Sequence, residues 1–356
     1  MKNINLISNR FFLKKGNFLL IFFLISYCLN RLNSSIFFID LFGQLSVQIF
    51  FAGVILFFIL LRQKKLISSF ISGLICVLLA LQILLPCKLC HEYFDNKLQN
   101  YKKIRLMSFN VRYNNQFHDF DNFVDLILNE KPDIIQFQEV SSLVQEKIKS
   151  IESFYPYTLG LNTPFLIEAN VKPSYIRNYI DSIMDQNNKT NVITDIEEMR
   201  VGNIILSKYP LKNDKIIDSN LVLTNIVLGD IELILIGVHL YPPESQYYFK
   251  LTIDQMKYLK NFLKKSKQNI ILIGDLNMVS TSKRFTNFLK ETNLFTYTSI
   301  ANPIFTWPAF LPNYLGIQID HVLFSQNFKM INKKTTKSFG SDHRPLIVDL
   351  AFNKEN

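Results

Sequence analysis

The stretch Ile270-Ile271-Leu272-Ile273-Gly274-Asp275-Leu276-Asn277 decides how this chain is read. Four apolar residues make a short buried strand, closed by Gly274 and followed by a carboxylate and a carboxamide. Ile319-Asp320-His321-Val322 and Ser341-Asp342-His343-Arg344-Pro345 likewise set acids and imidazoles beside or inside runs of Ile, Leu, Val and Phe. Strands that end in acids and histidines bring polar groups to one rim of a buried sheet, where packing alone has no use for them. Such a rim suits a hard metal ion and hydrolytic chemistry.

Working outward, strand and helix patterns alternate. Ile104–Val111, Asp133–Val140, Asn203–Ser207 and Ile270–Ile273 read as strands, as do Ile319–Phe324 and Leu346–Phe352. Asp121–Leu128, Ser142–Ser150, Leu251–Lys265 and Lys283–Glu291 read as helices, the first stopping before Lys131-Pro132. Gly229-Asp230 between Leu221–Leu228 and Ile231–Leu240 is a hairpin signal. Hairpins mixed with crossovers predict an α/β domain of two packed sheets covered by helices, and the 256 residues from Tyr101 onward suffice for its core.

The first hundred residues differ. They are rich in Phe, Leu and Ile and contain only Asp40, Glu92 and Asp95 as acids. Ile36–Leu61, interrupted by Asp40, Gln44 and Gln48, and Leu66–Leu85 are each long enough to span a bilayer. A third apolar segment, Phe18–Leu29, spans only if extended to residues 16–34. A signal-peptide reading of it fits Lys14 and Lys15, but no small-residue cleavage site follows. The expected division is a transmembrane region at 1–86, a juxtamembrane linker at 87–102 and a catalytic domain at 103–356. Arg62, Gln63, Lys64 and Lys65 form a basic loop that the positive-inside rule assigns to the cytoplasm, which puts the catalytic domain on the non-cytoplasmic side. Lys88, Lys97, Lys102, Lys103 and Arg105 pull against that orientation.

Of the 39 Lys and Arg, 29 lie beyond residue 100 with 26 of the 29 acids, leaving that part only +3. The chain's basic balance therefore belongs mainly to the membrane portion and is not a nucleic-acid footprint. Cys28 and Cys76 lie in apolar spans as small packing residues. Cys87 and Cys90 form a C-x-x-C that suits a local disulfide in an oxidising compartment.

Eight ordered blocks resemble the endonuclease/exonuclease/phosphatase superfamily, the deoxyribonuclease I-like fold. They are Ser108-Phe109-Asn110, Gln138-Glu139, Gly202–Ser207 with Tyr209-Pro210, Gly237-Val238-His239, Gly274–Asn277, Thr306-Trp307-Pro308, Ile319-Asp320-His321 and Ser341-Asp342-His343. The resemblance covers about residues 103–352 and implies a four-layer α/β sandwich, two mixed sheets flanked by helices, here preceded by a transmembrane helical region. It implies phosphate-ester hydrolysis with Mg2+, or Mn2+ in its place. Asn110, Glu139 and Asp342 would hold the metal, and His239, Asp275, Asn277, Asp320, Asp342 and His343 would carry catalysis. In those roles Asp275 orients water, Asn277 donates to a phosphate oxygen, Asp320 supports His343, and His239 acts on the leaving side.

The residue types make chemical sense without the resemblance. A hard divalent ion takes oxygen ligands and keeps several waters, so one or two side chains suffice. An imidazole beside an acid is held in one tautomer and becomes cationic as phosphate charge develops. Asp275 and Asn277, two apart at a strand end, are expected to project to the same side.

Other residues read as structural. His321 should point to the opposite face from Asp320, His91 is a juxtamembrane surface residue, His118 a loop residue near the site mouth, and Trp307 a packing anchor under the site loops. Lys257–Lys267 and Lys329–Lys337 read as solvated faces that could approach anionic lipid. Leu161–Met199 reads as an insertion near the site rim. The substrate is first a nucleic acid, with a phospholipid or phosphoinositide head group as the alternative. A catalytically silent membrane-tethered binding protein on the same fold is the reading from another class.

Overall fold

The computed structural model describes residues 17–32, 36–84, 101–163, 202–218, 220–229, 231–266, 269–297, 304–312 and 315–353. Cys87, Cys90, His91, the juxtamembrane linker up to residue 100 and most of the 161–199 stretch lie outside them.

Alternation along β1 (Tyr101–Asn110) builds the layers of the domain. Ile104 and Leu106 point into one buried cluster, Met107 and Phe109 into another on the opposite face. The first cluster joins two sheets. It takes Ile134 from β2 (Ile134–Val140), Leu235 from β7 (Ile231–His239) and Ile271 and Ile273 from β8 (Asn269–Asp275). The second cluster joins the first sheet to α5 (Phe120–Glu130) and α6 (Ser142–Lys149) through Phe123, Ile127, Val144 and Ile148. A third lies beyond the other sheet, where Met256 and Leu259 of α7 (Gln246–Lys265) and Phe285 and Phe288 of α8 (Lys283–Thr292) pack on Leu272 and Leu323. Helices, sheet, sheet, helices: the four-layer expectation holds.

The remaining strands are β3 (Tyr157–Leu159), β4 (Gly202–Ser207), β5 (Leu211–Asp218), β6 (Leu221–Leu228), β9 (Asp320–Phe324), β10 (Phe328–Thr335) and β11 (Leu346–Asn353). The six-stranded sheet runs β10-β11-β1-β2-β4-β3 and the five-stranded sheet β5-β6-β7-β8-β9. Only β1–β2 and β7–β8 pair in parallel; the other neighbours are antiparallel. Both sheets are therefore mixed.

Two expectations need correcting. Lys329–Lys337 is not simply a solvated face: much of it is edge strand β10, whose lysines suit a sheet edge. Lys333 within it is buried, its ammonium donating to Gln318 Oε1 at 2.8 Å.

The second correction concerns the N-terminal region, which holds α1 (Asn17–Asn30), α2 (Phe37–Gln44), α3 (Ser46–Arg62) and α4 (Leu66–Leu84). The segment expected as one helix from 36 to 61 is broken at Leu45, and α2 and α3 are bent 69° from each other. Asp40 and Gln44 fall on α2, while α3 keeps Gln48 and the longer apolar run. By length and composition α4 can cross a membrane, and the α2–α3 pair can if counted as one span; α1 is shorter. Helices α1, α3 and α4 pack closely at Gly53, where a Cβ would lie 2.3 Å from the Phe23 ring and 2.8 Å from Cys76 Sγ.

Candidate active site

Four strands aim their last or first residues into the same layer. On β1 the face of Ile104 and Leu106 continues to Asn110, and on β8 that of Ile271 and Ile273 continues to Asp275. On β7 the face of Leu233 and Leu235 ends at His239, and on β9 that of Val322 and Phe324 begins at Asp320. Sheet register completes the convergence, because Asp275 stands directly opposite both His239 and Asp320.

Glu139 joins them against the alternation of its strand. Ile135 and Phe137 face the helices, so a regular β2 would send Glu139 the same way. Instead the register slips between Phe137 and Val140, and Glu139 takes φ 54°. This bulge re-aims its carboxylate into the site. One oxygen accepts from Asn110 Nδ2 at 3.0 Å and the other from the Tyr113 amide at 3.2 Å. His239 Nε2 lies 3.6 Å from Glu139 and 3.9 Å from Asp275.

His343 comes from the loop before β11. Ser341 pins that loop: its hydroxyl donates to the Asn110 carbonyl at 2.7 Å and accepts from the His343 amide at 3.0 Å. The imidazole Nδ1 is 3.0 Å from Asp320 Oδ2, which leaves Nε2 facing Asp275 Oδ2 at 3.6 Å. Burial alone would lower the pKa of His343, but Asp320 and Asp275 hold the imidazolium and raise it to about 10. Asp320, though buried, is kept below the usual carboxylate range by that cation. Asp275 is pushed up to about 8, first by burial and then by facing Asp320. Burial also lowers His239, against the pull of Glu139.

Two expected site residues stand differently from the sequence reading. Asn277 does not continue the strand: β8 ends at Asp275, and Asn277 turns to φ 49°. Its amide N–H donates to Asp275 Oδ1 at 2.8 Å and its Nδ2 to the Leu240 carbonyl at 2.8 Å. A side-chain-to-backbone turn, not strand alternation, sets it beside Asp275. Asp342 makes its contacts with Trp307 and Arg112. Its Oδ2 accepts from Trp307 Nε1 at 3.4 Å and its Oδ1 lies 3.9 Å from Arg112 Nε.

His321 takes the opposite face, as expected. It packs 4.5 Å from the Phe285 ring, and its Nε2 lies 2.8 Å from the Met278 carbonyl. Burial lowers its pKa to about 3, so the ring is neutral, with Nε2 as the donor. His118 is exposed.

The donor set fits a hard divalent cation. Glu139 Oε1 and Asp275 Oδ2 converge on one amide nitrogen of Asn110, at 3.0 and 3.1 Å. Carboxylate oxygens are what Mg2+ takes; Asn110, whose Oδ1 here accepts the Arg112 N–H at 3.0 Å, would join them only with its amide turned. Asp275, Asp320 and His343 also present ligand atoms within 4.8 Å of one another.

No curated protein sequence matches the chain. Solved structures with the same fold include a beta toxin of Staphylococcus aureus, 18% identical over 70% of this chain and 100% of that one, with TM-score 0.47. Others are an AP endonuclease from Archaeoglobus fulgidus (14% identity, 70% and 99% covered, TM-score 0.48) and sphingomyelinase C from Streptomyces griseocarneus (15%, 71% and 100%, 0.45). Likenesses this distant carry no argument about substrate. The model of the Endonuclease/Exonuclease/phosphatase family matches residues 107–343, two thirds of the chain, from the middle of β1 to His343. The match thus spans every strand that feeds the convergence around Asp275, and the chain belongs to that family of phosphoric ester hydrolases.

Proposed function

We propose that the protein is a membrane-anchored, Mg2+-dependent hydrolase of phosphate esters, acting on phosphodiesters or phosphomonoesters, with Mn2+ as a substitute. One observation carries the reading: Asn110, Glu139, His239, Asp275, Asp320 and His343, drawn from both sheets, form one connected set of contacts. Glu139 and Asn110 would hold the cation, which when bound neutralises charge on the phosphoryl oxygens. Asp275 is placed to orient the attacking water. His343, kept cationic by Asp320, presents Nε2 to the phosphate, and the second amide hydrogen of Asn277 is a further donor. His239, beside Glu139, serves the leaving oxygen. Asp342 is better suited to hold the Trp307 loop than to ligate the metal, given its contact with Trp307 Nε1.

A second reading concerns the substrate. A nucleic acid is the first guess by family. A phospholipid or phosphoinositide head group gains support from the contacts, set out below, between the N-terminal helices and the loop that follows Asp275. The test is hydrolysis of a panel of nucleic acids, nucleotides, sphingomyelin and phosphoinositides by the full chain in detergent, with Mg2+ and with chelator. Glu139→Gln should need at least about tenfold more Mg2+ for half-maximal rate. Hydrolysis that survives chelation, or survives unchanged in His343→Ala, would remove the mechanism. Binding of a panel member without turnover would favour the silent binding protein.

A further inference from the structure

Helix α2 lies within an apolar region, between α1 and α3, yet its polar residues face the catalytic domain. Asp40 Oδ2 lies 3.2 Å from Arg284 Nη2, with side chains only 7% and 4% exposed. Gln44 donates to the same Asp40 oxygen at 3.1 Å and accepts the Val279 backbone N–H at 2.8 Å. Around this pair the Phe37 ring lies 6.3 Å from that of Phe249, and the Arg284 guanidinium sits 5.0 Å from the same Phe249 ring. From α4, Gln82 reaches the Thr281 carbonyl at 3.3 Å. On its other side α2 leaves Phe38 71% exposed. A helix bent 69° from α3, polar toward the domain and apolar away from it, has the form of an element lying along a membrane surface.

Apart from the Phe37–Phe249 ring contact, these contacts fall on one segment, 277–284, which starts at Asn277, two residues after Asp275. Its near end is tied to the site by Asn277, and its far end to the helices by Val279, Thr281 and Arg284. A buried ion pair specifies one alignment, because breaking it strands an uncompensated charge.

We infer that α2 is a docking element that makes the N-terminal helices part of the active site, with Asp40, Gln44 and Arg284 as positioning residues for the Asn277 loop. The site is then held one loop away from the membrane surface. Only the activity arm of the test rests on the hydrolase reading.

Docking is read by cross-linking in the full chain in native membranes. A Cβ at Gly43 would lie 3.9 Å from Ser282 Cβ, inside the disulfide range of about 3.5–4.5 Å. Gly43→Cys with Ser282→Cys should give the disulfide-linked peptide pair by mass spectrometry; its absence in folded protein would overturn the docking. Positioning is read with a small soluble phosphodiester, bis(p-nitrophenyl) phosphate. Asp40→Asn and Arg284→Gln alone should each lower kcat at least about tenfold with KM within about twofold, and the double variant, which strands no charge, should recover most of the rate. Single variants with wild-type kcat would overturn the positioning role. A cross-link in a protein that hydrolyses no phosphate ester would sink the hydrolase reading and leave the docking standing.

Discussion

At the residue scale the site works by giving unequal partners to equally buried groups. Asp275 and Asp320 face each other across paired strands, and His343 sits against both. The one direct hydrogen bond goes to Asp320, which therefore stays ionised and holds the imidazolium. Asp320→Asn removes that support, so the pKa of His343 should fall. The decline of rate at high pH should move to lower pH, together with a drop in kcat of about 10²-fold or more; the pH–rate profile at saturating Mg2+ checks both. His321 gives a separate test of stability. Its folded pKa of about 3 lies below the ordinary 6.5, so its contribution is complete above pH 6.5 and is lost as pH falls from there toward 3. At about pH 5 the cost is about 2 kcal/mol, and His321→Gln should show a smaller loss of Tm between about pH 7 and about pH 5 than the wild type.

At the element scale, two irregularities make the site. The bulge in β2 turns Glu139 inward, and β8 carries just before its last residue a glycine that no other residue can replace. Gly274 has φ 142°, and a Cβ there would stand 1.8 Å from the Val238 carbonyl oxygen. Neither the strand nor its neighbour β7 can yield without moving Asp275 or His239. Gly274→Ala should therefore cost about 3 kcal/mol or more, or about 10 °C of Tm by thermal melting in detergent. Sequence gave the signal for Gly274, which stands between a strand and an acid. It gave none for the bulge, because one extra residue in β2 is visible only against β4.

At the scale of the whole molecule, the breaking of 36–61 into two helices changes what the N-terminal region does. Asp40 and Gln44 looked like polar interruptions of a span; paired with Arg284 and Val279 they are interface residues. The basic loop at 62–65 lies at the far end of α3 and α4 from Gln82 and the catalytic domain. The domain should accordingly lie on the non-cytoplasmic side, and a reporter that folds only after export, fused behind Asn356, should be active. A reporter active only in the cytoplasm would reverse the orientation.

Sequence by itself determined the layers and most of the chemistry. Period-two alternation in the strands, amphipathic helices and acids at strand ends are local patterns, and a local pattern is legible wherever one face must be buried. Those patterns put His321 on the other face from Asp320; the resemblance of the ordered blocks put Asn110, His239, Asp275, Asp320 and His343 in one site. Only the tertiary structure decided what depends on a partner distant along the chain. The inward turn of Glu139 needs the register against β4, the contact of Asp342 with Trp307 joins residues 35 positions apart, and the docking of α2 needs Arg284, 244 residues after Asp40. No period in a sequence encodes a contact across that distance; the energy that selects it exists only once both surfaces have formed.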